Sequence, residues 1–182
     1  MRSLSVLLAV AISWGLSAQD KKGASKPTSH QHGTHSQKAH DHGAAEINIA
    51  VDGKTAEVEI HAPAMGIVGF EYIPTSAADK KKQADALAAF KANAARMVLF
   101  DAAAGCKVGG SEVEVRQEEA DHAEVHGEFK FSCAQPLAGT KVQFGMTRLY
   151  PAYTAVKVQV VGANGQAGAE IKSDKGFVII PK

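Results

Sequence analysis

The stretch EINIAVDGKTAEVEI, residues 46–60, decides the fold class of this chain. Apolar and polar residues alternate on both sides of Asp52-Gly53, the pattern of two strands that each bury one face and are joined by a type I′ turn. With Asp52-Gly53 as the two-residue loop, Val51 should pair with Lys54. The stretch therefore predicts a β-hairpin whose apolar face enters the core.

A helix and further strands are predicted after this hairpin. Ser76 and Asp79 have the spacing of a capping box, which predicts a helix over 77–98. Apolar residues recur at helical spacing along it and should form a buried stripe: Leu87, Phe90, Ala94, Met97 and Val98. Strands are expected at Val108 and at 112–116, 122–133, 142–144, 155–161, 169–171 and 176–180. One main helix among mostly antiparallel strands predicts an α+β fold.

The chain begins with the features of a secretory signal peptide. Residues 1–18 contain Arg2, an apolar run that ends at Trp14, and the small residues Gly15, Ser17 and Ala18. The apolar run is shorter than the about 20 residues of a transmembrane helix, so we expect secretion into the periplasm and no membrane insertion. Residues 19–43, here called the His-rich segment, lack large apolar side chains and should form a flexible tail. The β-rich domain then covers 44–182.

Composition excludes several classes of function. Lysine and arginine number 20 against 19 aspartate and glutamate residues, which argues against nucleic acid as a partner. Removal of residues 1–18 removes Trp14, the only tryptophan. The mature chain then lacks the tryptophan ring against which sugars usually stack, which argues against a lectin-like site. The chain has no H-E-x-x-H, no G-x-S-x-G and no phosphate-binding glycine loop. We therefore expect a protein that is not an enzyme.

Cys106 and Cys133 are the only two cysteines. In an oxidising compartment they should form a disulfide. A metal site with two thiolates is less favoured because neither cysteine belongs to a C-x-x-C pair.

The densest unusual feature is a group of five histidines in the His-rich segment: His30, His32, His35, His40 and His42. Neutral imidazole is the commonest metal ligand in proteins, and zinc takes four nitrogen, sulfur or oxygen ligands. The pattern favours metal binding over a plain polar linker or an affinity tag, because the spacing is interrupted and follows a signal peptide, and it leaves the choice of metal open.

A second candidate cluster lies in the strand predicted at 122–133. Alternation places His122, Glu124, His126 and Glu128 on the face opposite the apolar residues. Neighbours on that face lie about 6.5 to 7 Å apart, so two of them can share one ion, whereas His122 and His126 cannot. An ordinary solvated sheet face is the alternative interpretation.

The predicted hairpin suggests a third site. Its register places Glu46 opposite Glu59, and like charges so placed repel each other. A cation shared by His42, His61 and one of these carboxylates would relieve the repulsion, although Lys54 or solvent screening could also do so.

Three ordered motifs resemble the ZrgA-type periplasmic zinc-binding proteins. They are His40-Asp41-His42-Gly43 leading into 45–53, the stretch 63–71, and the stretch 121–133, which ends at Cys133. The resemblance implies a secreted β-rich protein that binds zinc and helps a Gram-negative cell acquire or buffer it. Two departures are Tyr72, where the family tends to have histidine, and the short stretch 117–121, where the family often has a His-rich insertion.

The resulting hypothesis is a periplasmic zinc-binding protein that acts in zinc acquisition, buffering or delivery. Its partners would be zinc ions and a zinc importer or the importer's solute-binding protein. A copper or nickel chaperone is an alternative because imidazoles also bind those metals, and copper more tightly than zinc. Another alternative is a non-catalytic envelope interaction domain with an incidental His-rich tail.

Overall fold

The computed structural model describes residues 43–182, so the predicted signal peptide and residues 19–42 of the His-rich segment lie outside the described residues. The described part is mostly β-sheet with one long helix, which confirms the predicted class. Its strands are β1 (Ala44–Asp52), β2 (Thr55–Pro63), β3 (Val98–Phe100), β4 (Lys107–Glu119), β5 (His122–Ser132), β6 (Lys141–Phe144), β7 (Ala155–Gly162), β8 (Gly165–Ile171) and β9 (Phe177–Ile179). Its helices are α1 (Ala77–Ala92), α2 (Ala94–Met97) and α3 (Met146–Leu149).

The strands form one large and one small sheet. The large sheet has the order β4-β5-β2-β1-β7-β8, and the small one has the order β3-β6-β9. All pairs are antiparallel except β1 with β7, which run parallel. This order places β5 next to β2, although some 60 residues separate them in the chain.

The hairpin forms as predicted, but its register is displaced by two residues. Asp52 pairs with Thr55, so the loop consists of Gly53 and Lys54, and Gly53 adopts a φ of 55° that glycine tolerates. Leu137 N–H donates to the Gly53 carbonyl at 2.9 Å, which fixes this loop against a neighbouring segment. A displacement of two residues keeps every side chain on its predicted face, so the apolar face is correct.

The long helix begins where predicted and ends earlier. The Ser76 hydroxyl accepts a hydrogen bond from Asp79 N–H at 3.0 Å, which confirms the cap. The helix ends at Ala92, α2 follows Asn93, and Val98 begins β3 instead of extending the helix to residue 98. Val98 pairs with Phe144 of β6, and the β-branched side chain of Val98 favours a strand over a helix. Four members of the predicted stripe are buried and Leu87 is partly buried.

The strands predicted at Val108 and 112–116 form one strand, β4, whose pairing with β5 is irregular between Val108 and Gly110. The predicted disulfide between Cys106 and Cys133 is present. It joins the residue before β4 to the residue after β5 and so closes one end of this strand pair. No helix among residues 43–182 is long and apolar enough to span a membrane.

One face of the large sheet packs against the helices and the small sheet. Phe90 of α1 lies 6.1 Å from Phe129 of β5 between ring centroids, and Phe100 of β3 lies 5.1 Å from Phe131. Gly127 leaves room for this packing, because a Cβ there would come within 2.7 Å of Phe129 and 2.9 Å of Phe90. The opposite face of the sheet carries the polar side chains of β1, β2, β4 and β5.

Candidate metal centre

Two neighbouring strands bring three metal-ligand side chains together on the polar face. The sheet pairs His61 of β2 with His126 of β5, and Pro63 with Glu124. One ligand atom each from His61, Glu124 and His126 lies within 4.8 Å of the other two. The imidazole centroids of His61 and His126 are 4.2 Å apart. Within residues 43–182 this is the one such group of three His, Cys, Asp or Glu side chains.

The contact between Glu124 and His126 has the geometry of two ligands on one ion. His126 Nε2 lies 3.2 Å from Glu124 Oε2. Two ligand atoms that are each about 2.0 to 2.2 Å from a tetrahedral zinc stand about 3.3 to 3.6 Å apart, close to this distance. Two neighbours on this face of β5 thus lie at the spacing of two ligands, and β2 places His61 beside them.

Burial favours the ligand form of His126. Its side chain is 10% exposed and that of Glu124 is 12% exposed. Burial, and then the nearby His61 and Arg116, lower the pKa of His126, and Glu124 opposes them only in part. In the described part of the chain His126 Nε2 has no aligned hydrogen bond. The ring is thus neutral near pH 7, with a nitrogen lone pair available to a metal ion.

A second buried pair lies at the start of β5. His122 Nδ1 lies 3.4 Å from Glu71 Oε2, with the side chains 16% and 5% exposed. The other carboxylate oxygen of Glu71 accepts Met65 N–H at 3.2 Å, and the Gln117 side-chain amide donates to the carbonyls of Glu71 and His122. The structure thus separates His122 from the three-ligand group and joins it to Glu71.

A buried tyrosine supports the end of β2 beside both pairs. The Tyr153 hydroxyl donates to the Pro63 carbonyl at 2.5 Å. Burial, followed by the charges of Glu71 and Glu124, raises the pKa of Tyr153, so the hydroxyl keeps its proton and remains a donor. The backbone of β2 next to His61 is therefore held in place.

The predicted opposition of Glu46 and Glu59 is wrong. The displaced register places His61 opposite Glu46 and Asn48 opposite Glu59. Lys54 does not pair with these carboxylates, because its ammonium group donates a hydrogen bond to the Ala134 carbonyl at 2.9 Å. Like charges do meet in this sheet, but between β2 and β5 and between β4 and β5.

Glu128 of β5 is the residue where those like charges meet. It lies opposite Glu59 of β2 on one side and opposite Glu112 of β4 on the other. Glu128 is exposed and is not a member of the three-ligand group.

Five predicted ligands lie outside the described residues: His30, His32, His35, His40 and His42. The site predicted for His42 and His61 is thus described only at His61, which the structure joins to Glu124 and His126. Sequence reasoning did not connect His61 with β5, because the pairing of β2 with β5 spans a long stretch of chain. It also did not single out Glu71, whose only signal was its place at the end of the motif at 63–71.

Comparison with known proteins gives one family. The family model described as ZrgA family zinc uptake protein matches residues 39–180. The match includes every candidate ligand in the described part and both cysteines. A search of curated proteins gives no match.

Proposed function

The chain belongs to the ZrgA family of zinc uptake proteins, and on this premise we propose that it is a periplasmic zinc-binding protein. It acquires or buffers zinc and delivers it to an importer or to the importer's solute-binding protein. It does so as a carrier and not as an enzyme. The disulfide supports an extracytoplasmic location, because disulfides form and persist in oxidising compartments.

The single observation that carries this proposal is the convergence of His61, Glu124 and His126. Two nitrogens and one oxygen are ligands that zinc prefers, and three protein ligands leave a fourth position for an exchangeable group. An exchangeable position is useful to a carrier, because an acceptor can enter it before the protein ligands release the ion. His61 is only partly buried and offers access from solvent.

The His-rich segment adds capacity in this proposal. Its histidines, His30, His32, His35, His40 and His42, would bind further zinc ions. Ordering such a segment around an ion costs chain entropy, so each site there should be weaker than the site on the sheet.

The first test is metal analysis of untagged protein purified from the periplasm. Zinc in the purified protein supports the proposal. Copper or nickel instead of zinc would favour a chaperone for that metal, and a protein that carries and binds no metal would favour an envelope interaction domain.

The second test is a zinc titration against a chromophoric chelator. His61→Asn and His126→Asn should each lower the affinity of the tightest site by at least about 10-fold. Glu57→Gln is the matched control, because Glu57 is exposed on the same face of β2 and is not in the ligand group. Unchanged affinity in both histidine variants would refute the site.

A further inference from the structure

The pair formed by Glu71 and His122 resembles the pair formed by Glu124 and His126. Each joins a buried carboxylate to a histidine of β5, with a nitrogen-to-oxygen distance of 3.4 Å in the first and 3.2 Å in the second. Both distances are close to the about 3.3 to 3.6 Å between two ligands of one tetrahedral zinc. The first pair therefore has the spacing of a second metal position.

The surroundings of Glu71 hold its carboxylate ready for this role. Met65 N–H donates to Oε1, which leaves Oε2 turned towards the His122 ring. The Gln117 side chain bonds to the backbone of both Glu71 and His122 and so holds the loop against the strand. Two ligands from separate segments are thus preset by the fold.

Glu124 belongs to one of the two pairs and lies between the two histidines along β5. It is two residues from His122 and two residues from His126, so all three side chains share one face of β5. Its neighbours on that face lie about 6.5 to 7 Å away along the strand, so the Glu124 side chain can reach towards either histidine, and its two oxygens can bind two different ions when these lie about 3.5 to 4 Å apart.

We propose that Glu124 bridges two zinc positions, one completed by His61 and His126 and the other by His122 and Glu71. The inference rests on the proposed function, since it extends the same site to a second ion. In the described residues only the first position has three ligand atoms within 4.8 Å. The second has two preset ligands and gains Glu124 when that carboxylate turns towards it, so it fills after the first.

A second ion would also compensate the negative charge of the buried carboxylates in this region. Glu71 and Glu124 are the two buried acidic residues among residues 43–182. Buried carboxylates are costly unless they are paired or coordinate metals. The competing explanation is that Glu71 and His122 form a structural ion pair that holds the loop to β5.

The test is the number of zinc ions held by the full mature chain at a free zinc concentration fixed by a chelator buffer. Relative to the unmodified chain, His126→Asn should lose one ion, and His122→Asn and Glu71→Gln should each lose one. Glu124→Gln should lose two, which is the signature of a bridging ligand. Sites in the His-rich segment are the same in all variants and cancel in these differences.

Several results would overturn the inference. A full zinc complement in both His122→Asn and Glu71→Gln would show a structural ion pair, and loss of one ion in Glu124→Gln would show that Glu124 does not bridge. If His126→Asn also lost no zinc, the proposed function itself would fail at this site, which is a different result.

A second measurement needs no variant and so does not depend on their folding. Zinc loading should shift the imidazole ¹⁵N resonances of His122 in the unmodified chain, measured by NMR. Unchanged His122 resonances with and without zinc would overturn the second position.

Discussion

His126 is a largely buried residue and also a proposed metal ligand. Its pKa is lowered by burial and by His61 and Arg116, so the folded protein resists protonation of the ring. In the unfolded chain the same ring has a pKa of about 6.5. Below that pH the unfolded state binds a proton that the folded state does not, and stability must fall.

This linkage gives a testable pH dependence. The contribution of His126 to the stability of the metal-free protein should be complete above about pH 6.5 and should diminish as the pH falls below it. Urea denaturation in the presence of a chelator at pH 7.5 and 5.5 measures it. The loss between these values should be smaller in His126→Gln than in the unmodified protein, and equal losses would contradict the assignment.

Gly127 is a residue that the core requires although it lies beside a ligand. A side chain at this position would collide with the rings of Phe129 and Phe90 at 2.7 and 2.9 Å. Gly127→Ala should therefore lower the free energy of unfolding by about 1 to 3 kcal/mol, the usual cost of overpacking. Gly110→Ala in β4 is the control, because a Cβ there would meet nothing within 4 Å. Similar losses in the two variants in urea denaturation would show that crowding is not the cause.

At the scale of elements, the position of β5 determines both the site and a local conflict of charge. The exposed carboxylate of Glu128 lies opposite Glu59 on one side and opposite Glu112 on the other. Like charges directly opposite destabilise a sheet, and each cross-strand pair is worth about 0.2 to 1 kcal/mol.

Glu128→Lys should therefore raise the free energy of unfolding of the metal-free protein by up to about 1 kcal/mol, because it replaces repulsion by attraction on both sides. Glu57→Lys is the matched control on the same face. Glu57 lies 3.5 Å from Lys130, so this change creates a like-charge pair and should lower stability. Chemical denaturation at low salt measures both, and a loss in Glu128→Lys would contradict the prediction.

The same elements show how much the sequence could predict. Alternation determined the faces of the hairpin and of β5, because side-chain direction has a period of two in any register. It could not determine the register: in the observed register the loop also binds a distant segment, since Leu137 N–H donates to the Gly53 carbonyl. His61 lies beside Glu124 and His126 because β2 and β5 are neighbours in the sheet. The local sequence pattern does not predict this strand order.

At the scale of the whole molecule, the disulfide is the main covalent constraint on the described domain. It closes a sequence separation of 27 residues, for which the chain-entropy model gives about 3 to 4 kcal/mol. The double variant Cys106→Ala/Cys133→Ala should lose about this much free energy of unfolding in urea. The intact mature protein should have a mass two hydrogens lower than its reduced form. Equal free energies of unfolding for the double variant and the unmodified protein would contradict the prediction.

The last prediction concerns the His-rich segment and the whole protein's zinc capacity. Residues 19–39 contain three of its histidines, His30, His32 and His35, and no large apolar side chain that could add to the core. Their deletion should lower the number of zinc ions bound at pH 7 and leave the metal-free melting temperature unchanged. The replacement of these three histidines by asparagine is the matched control, because it removes the imidazoles and keeps the length.

If imidazole is the ligand, the deletion and the asparagine variant should lose the same number of bound zinc ions. That difference from the unmodified chain should vanish as the pH falls through about 6.5, since protons then compete with zinc for the ring nitrogens. Zinc stoichiometry by equilibrium dialysis at several pH values measures this. The same stoichiometry with and without residues 19–39 would show that this stretch is only a linker, and His40, His42 and the site on the sheet would then account for the bound zinc.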